Sequence, residues 1–95
     1  MIDFNDHQPP SMNQRIFEMD LPVETVSVYL LCCGFTDTGK TVSFKNLLEV
    51  WNGSKDQLEK GLVQLEEKNI LKQIISDASD NRIYRLADNH GWRND

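Results

Sequence analysis

The residues Gly34 to Thr41, GFTDTGKT, are spaced as G-x-x-x-x-G-K-[ST]. In that pattern backbone N–H groups wrap the phosphates of a nucleotide. The lysine, here Lys40, reaches the outer phosphates, and the hydroxyl, here Thr41, holds Mg²⁺. The chemistry requires a strand before the loop, a helix after it, and an acidic strand end for the metal. The apolar run before Gly34 has helical spacing as well as β-branched content, and Asp77 is the best acid available. A turn explains the string more simply, with Gly39 supplying positive φ and Lys40 in solvent. A P-loop at Gly34–Thr41 is kept as a third alternative.

The other reactive residues carry little. Cys32 and Cys33 are adjacent, and a thiol becomes a sensor only where it is exposed and electropositive. The sequence around them is apolar, which predicts packing. His7 and His90 lie near opposite ends, and no Cys/His spacing suits zinc. No Ser/His/Asp, Cys/His or paired-carboxylate arrangement recommends an enzyme. The expectation is a non-enzymatic protein with neither cofactor nor metal. The residues able to grip or read a nucleic acid are Lys45, Lys55, Lys60, Gln64, Arg82 and Arg85.

Charge runs against that last group. The 95 residues carry a formal net charge of −5, and duplex binding draws on cations that neutralise phosphates. The length allows one small core of three helices and a short sheet, and excludes a doubly wound enzyme domain. No apolar run approaches the ~20 residues that span a bilayer, so no membrane partner is expected. The first residues, MIDFNDHQPP, lack the basic-then-apolar pattern of a secretory signal. With two adjacent thiols, that predicts a cytoplasmic protein.

The elements that must position these residues follow from spacing. Residues 1–14 read as a polar, proline-containing arm, and Arg15–Met19 as a short strand or helical lead-in. A first helix is expected from Pro22, capped by Asp20 and ended by Gly34, with Val26, Tyr29, Leu30 and Cys33 as its buried stripe. Val23, Val28, Leu31 and Cys32 widen that stripe, so the helix is either central or packed on another chain. Thr41–Val42 suggests a short strand. Ser43 caps a second helix with Phe44, Leu47, Leu48 and Trp51 on one side, and Asn52-Gly53 breaks it.

Ser54 and Gln57 have capping-box spacing at the start of a third helix. Leu58, Leu62 and Leu65 form its core stripe, and Gly61 predicts close approach of another helix. Asn69 stops it. Ile70–Ser76 and Arg82–Ala87 read as an antiparallel hairpin about the polar turn DASDN. Residues 88–95 form a polar tail with one large apolar residue, Trp92. Leu31, Cys32 and Trp92 are the candidate partner interface.

This order, and the string SFKNLLEVWNGSKDQLEKGLVQLEEKNILKQI, resembles the winged helix-turn-helix superfamily. Leu62, Leu65, Glu66, Lys68, Ile70 and Leu71 occupy the L-x-x-L-E-x-K-x-[IL]-[IL] ending of its third helix. RIFEMDLPVETVSVYLL is similar to the lead into the first helix of DnaD-type and phage replication-initiation proteins, and small transcriptional regulators share the form. The resemblance implies an α+β, mostly α fold over residues 15–87, with a three-helix core and a C-terminal β-hairpin wing. It implies a regulatory or replication-associated protein that binds double-stranded DNA. In this sequence the outer face of the third helix carries Asp56, Lys60, Val63 and Glu67, with Glu59 and Gln64 beside it. That acidic face motivates a second expectation, a protein-interaction module or homodimer without DNA.

Overall fold

A computed structural model describes residues 11–75 and 82–93. It has an α+β, mostly helical fold. A 3-10 helix, Gln14–Glu18, leads into α1 (Val23–Asp37), α2 (Phe44–Val50) and α3 (Lys55–Glu67). Strands β1 (Leu71–Ile75) and β2 (Ile83–Leu86) pair antiparallel, and a second 3-10 helix, Asn89–Gly91, follows. The expected turn between the strands lies outside the described residues.

The three helices start for different reasons. Ser43 caps α2 through its side chain, which accepts from the Asn46 N–H at 3.0 Å. Ser54 and Gln57 close a full capping box on α3, each side chain accepting from the other's backbone N–H at 3.1 Å. Asp20 does not cap α1. It sits at φ 56°, and Pro22 holds the N-cap position without a side-chain bond. The proline forces Leu21 away from helical geometry, so the helix cannot begin nearer Asp20.

Both long helices end in the same way. At α1 the Gly39 N–H reaches the Thr36 carbonyl at 3.2 Å and the Lys40 N–H reaches that of Phe35 at 2.8 Å. At α3, Asn69 N–H to Glu66 and Ile70 N–H to Leu65 repeat the pattern at 3.0 and 2.9 Å. These are Schellman closures, and each needs a residue in the left-handed region. Gly39 supplies it at φ 76° and Asn69 at φ 59°. The expected stop at Gly34 is therefore corrected: the terminating glycine is Gly39, and Gly34 is a helical residue.

The GFTDTGKT string is corrected with it. Gly34 to Asp37 are helix, a helix precedes them, and the amides of Gly39 and Lys40 are spent closing the helix. A helix C-terminus carries the negative end of the dipole, which repels phosphate. These residues form no phosphate cradle.

The core forms where α1, α3 and the hairpin meet. Leu58, Leu62 and Leu65 are buried as their spacing predicts, and Gly61 lets α1 approach. A Cβ on Gly61 would come within 2.9 Å of Val28 Cγ2. On α1 the buried positions are Thr25, Val28, Tyr29, Cys32 and Cys33, while Leu30 is 41% exposed. The expected stripe is thus rotated by part of a turn. Nearly every side of α1 is apolar, so its spacing selects no face, and contact with Gly61 does.

The sheet is small. Leu71, Lys72 and Gln73 stand opposite Leu86, Arg85 and Tyr84, and an irregularity between Gln73 and Ile75 shifts the register. The expected strand at Thr41–Val42 is reduced to one bridge, Ser43 with Ile83, on the other side of β2. Residues 1–10 of the expected arm and 94–95 of the expected tail lie outside the described residues, and the described parts of both are docked on the domain. The Ser11 hydroxyl donates to the Cys33 carbonyl at 3.1 Å, and the Asn13 N–H donates to the Tyr29 hydroxyl at 2.9 Å. The Arg93 N–H donates to the Lys68 carbonyl at 2.7 Å.

Candidate nucleic-acid interface

Phe44, the first residue of α2, is fully buried, yet its ring is bordered by cations. The Arg82 guanidinium lies 4.1 Å from the ring centroid and the Lys55 ammonium 5.7 Å. The face of an aromatic ring is electronegative, so it attracts both cations and holds them near one place. Lys45 is exposed beside Phe44 in the first turn of α2. Two of the six candidates, Lys55 and Arg82, therefore meet at the Phe44 ring, and Lys45 is the next residue along α2.

Glu59 moderates this cluster. Its carboxylate takes both Arg82 amino groups, at 2.7 and 3.1 Å. That bidentate bond holds the Glu59 carboxyl below the usual glutamate range, against a smaller opposing effect of burial, with the Arg82 and Lys55 charges helping. Asp56 acts on Glu59 and Glu66 lies close enough to feel Arg82, so carboxylates border these cations as well.

The other three candidates stand elsewhere. Lys60 pairs with Asp56 at 3.3 Å on the exposed side of α3, one turn apart. The Gln64 side chain accepts from the Thr25 hydroxyl and so ties α3 to α1. Arg85 is the neighbour of Tyr84 in β2, and Arg82, just before the strand, acts on Tyr84, so alternation turns Arg85 to the opposite face of the hairpin. There it is exposed opposite Lys72. Sequence reading missed Lys72, because only the register makes it the neighbour of Arg85. It also missed the Phe44 ring as a platform, since the helical spacing marks Phe44 only as core.

The candidate partner residues divide. Leu31 is half-buried beside a groove shared with Val23, Leu30, Val50 and Trp51. Cys32 is completely enclosed and Trp92 is 7% exposed, so neither presents a surface. Trp92 packs edge-on against Tyr29 with centroids 5.7 Å apart, and its Nε1 donates to the Ala87 carbonyl at 3.3 Å. Trp51, expected in the core stripe of α2, follows the helix as its C-cap. Its Nε1 donates to the Ser54 carbonyl at 2.9 Å.

Burial pushes the Cys32 thiol up to about 12 and raises Cys33 as well. Both therefore stay protonated near neutral pH, where a thiolate would be needed for reactivity. Burial likewise raises the hydroxyls of Tyr29 and Tyr84 above their ordinary values.

Among the described residues no helix is long and apolar enough to cross a membrane. Comparison with protein families, curated proteins and solved structures finds no match to the chain.

Proposed function

We propose that this chain is a winged helix-turn-helix module that binds double-stranded DNA through its phosphates, in a regulatory or replication-associated role. The observation that carries the reading is the meeting of Lys55 and Arg82 at the Phe44 ring, with Lys45 exposed as the next residue of α2. The order of elements supports it, with β2 flanked by β1 on one side and the Ser43 bridge on the other. Asp56, Glu59 and Glu67 make α3 a poor reader of base edges, because carboxylates near the duplex are repelled by phosphates. Backbone contacts position a protein without specifying sequence. The module accordingly binds many duplex sequences alike.

Fluorescence anisotropy of a labelled duplex across a salt series tests this. With two to three phosphates neutralised, log affinity falls against log salt with a slope of about −2 to −3. Lys45→Ala and Lys55→Ala each flatten the slope by about 1. Absence of binding at low salt, or binding indifferent to salt, removes the reading.

A second reading, a protein-docking module without DNA, is favoured by one observation. Val63 is 49% exposed on α3 between exposed Lys60 and Glu67. Under that reading Val63→Glu abolishes capture of a protein partner, and the lysine substitutions leave capture unchanged.

A further inference from the structure

We propose that α1 pairs with α1 of a second copy of this chain, antiparallel, about a two-fold axis near Leu30. Buried positions on α1 are spent on α3, Ser11, Asn13 and Trp92, and a second apolar strip remains outside. Val23 is 77% exposed and Leu30 41%, and across the groove Val50 of α2 is 46% exposed.

The strip has the form of a helix-packing site. Ser27, Leu30, Leu31 and Gly34 stand at i, i+3, i+4 and i+7, the four corners of a hole that receives one side chain from a facing helix. Two opposite corners are small. Nothing lies within 4 Å of where a Cβ on Gly34 would be, so that corner is open to an incoming group. Because Leu30 is both a corner of the hole and its exposed knob, the site complements itself. A two-fold axis demands this of a surface that pairs with its own copy.

Charge selects the antiparallel direction. Glu24 is exposed in the first turn of α1 and lines the same groove. At the other end the Lys40 ammonium lies 4.8 Å from the centroid of Phe35, one turn beyond Leu31. Glu24 precedes Leu30 by six residues and Phe35 follows it by five, about 9 and 7.5 Å along the axis. An antiparallel partner centred on Leu30 therefore sets each Glu24 beside the other copy's Lys40. A parallel partner sets like charges together. The net −5 of each chain opposes association over long range, but physiological salt screens that within about 8 Å, while adjacent pairs persist.

Sedimentation equilibrium of the whole chain at physiological salt, with circular dichroism to verify folding, tests the pairing. The chain sediments as a dimer at high concentration. Leu30→Glu and Gly34→Gln each leave it monomeric. Gly34→Gln adds a side chain at an open helical position, so it keeps the fold even should Leu30→Glu lose it. Glu24→Lys and Lys40→Glu each weaken the dimer about tenfold, and the two together restore it. A wild-type monomer at millimolar concentration overturns the proposal. A dimer indifferent to Leu30→Glu and Gly34→Gln overturns the site, and a double swap no better than either single swap overturns the antiparallel pairing.

Discussion

Phe44 and Tyr29 are both closed off from solvent, and their surroundings differ in kind. The Phe44 ring is bordered by Arg82 and Lys55, whose charges reach the surface. The Tyr29 ring meets the edge of Trp92, and its hydroxyl is engaged by the backbone of Asn13. Beside it lie two thiols that burial keeps neutral. One aromatic ring holds cations beside it. The other closes a seam between α1, Asn13 and Trp92, where Arg15 lies 5.9 Å from the Trp92 centroid and donates to the Asn89 carbonyl at 2.9 Å. The comparison separates a buried ring that closes the fold from a buried ring that holds two cations near the surface.

The largest expected effect breaks the seam. Trp92→Ala removes a large, nearly buried side chain and its edge contact with Tyr29, costing about 3 kcal/mol in urea unfolding. The salt slope of duplex binding should be unchanged in the protein that remains folded. Phe44→Leu tests the other ring. It keeps an apolar side chain in place and costs about 1 kcal/mol from packing, while duplex affinity falls because Arg82 and Lys55 lose their platform.

The pH dependences sharpen the contrast further. Cys32 and Cys33 have raised thiol pKa values in the folded chain, so the folded form holds protons that the unfolded form releases. Stability is complete below the unfolded thiol value of about 8.5 and declines as pH rises toward about 12. Urea midpoints taken between those limits check this, and Cys32→Ala flattens the decline. On the acid side, the Arg82 bond holds Glu59 low, so its contribution is present above about pH 4.3 and fades below it. Glu66, raised by burial, acts in the opposite direction. The difference between wild type and Glu59→Gln isolates the Glu59 part, which stays below about 1 kcal/mol because the pair is partly solvated.

Local chemistry explains which features were legible in the sequence. The capping box at Ser54 and Gln57, the cap at Ser43, the close approach at Gly61 and the stop at Asn69 all follow from residue type and spacing. The end of α1 did not. Gly34 and Gly39 are both plausible stops, and only the bonds to Phe35 and Thr36 select the second. The face of α1 was not legible because apolar residues surround it. Trp92 returns to Tyr29 across more than half the chain, and no local pattern encodes that contact.

The candidate site was legible as a set of cations and not as an arrangement. Strand alternation separates Arg85 from Tyr84, but the turn of Arg82 onto Glu59 and Phe44 depends on how α3 meets the hairpin. Gln64 was placed beside the outer face of α3 by its helical position, and its bond to Thr25 depends on α1 lying against Gly61.

The most direct measurement of the central claim is the set of backbone amide resonances that move when a short duplex is titrated into the labelled protein. The account predicts concentrated shifts at Ser43 to Lys45, Lys55, and Arg82 to Ile83, reversed by added salt. Shifts confined to the Val23–Leu30 groove, or no shifts at low salt, would contradict it.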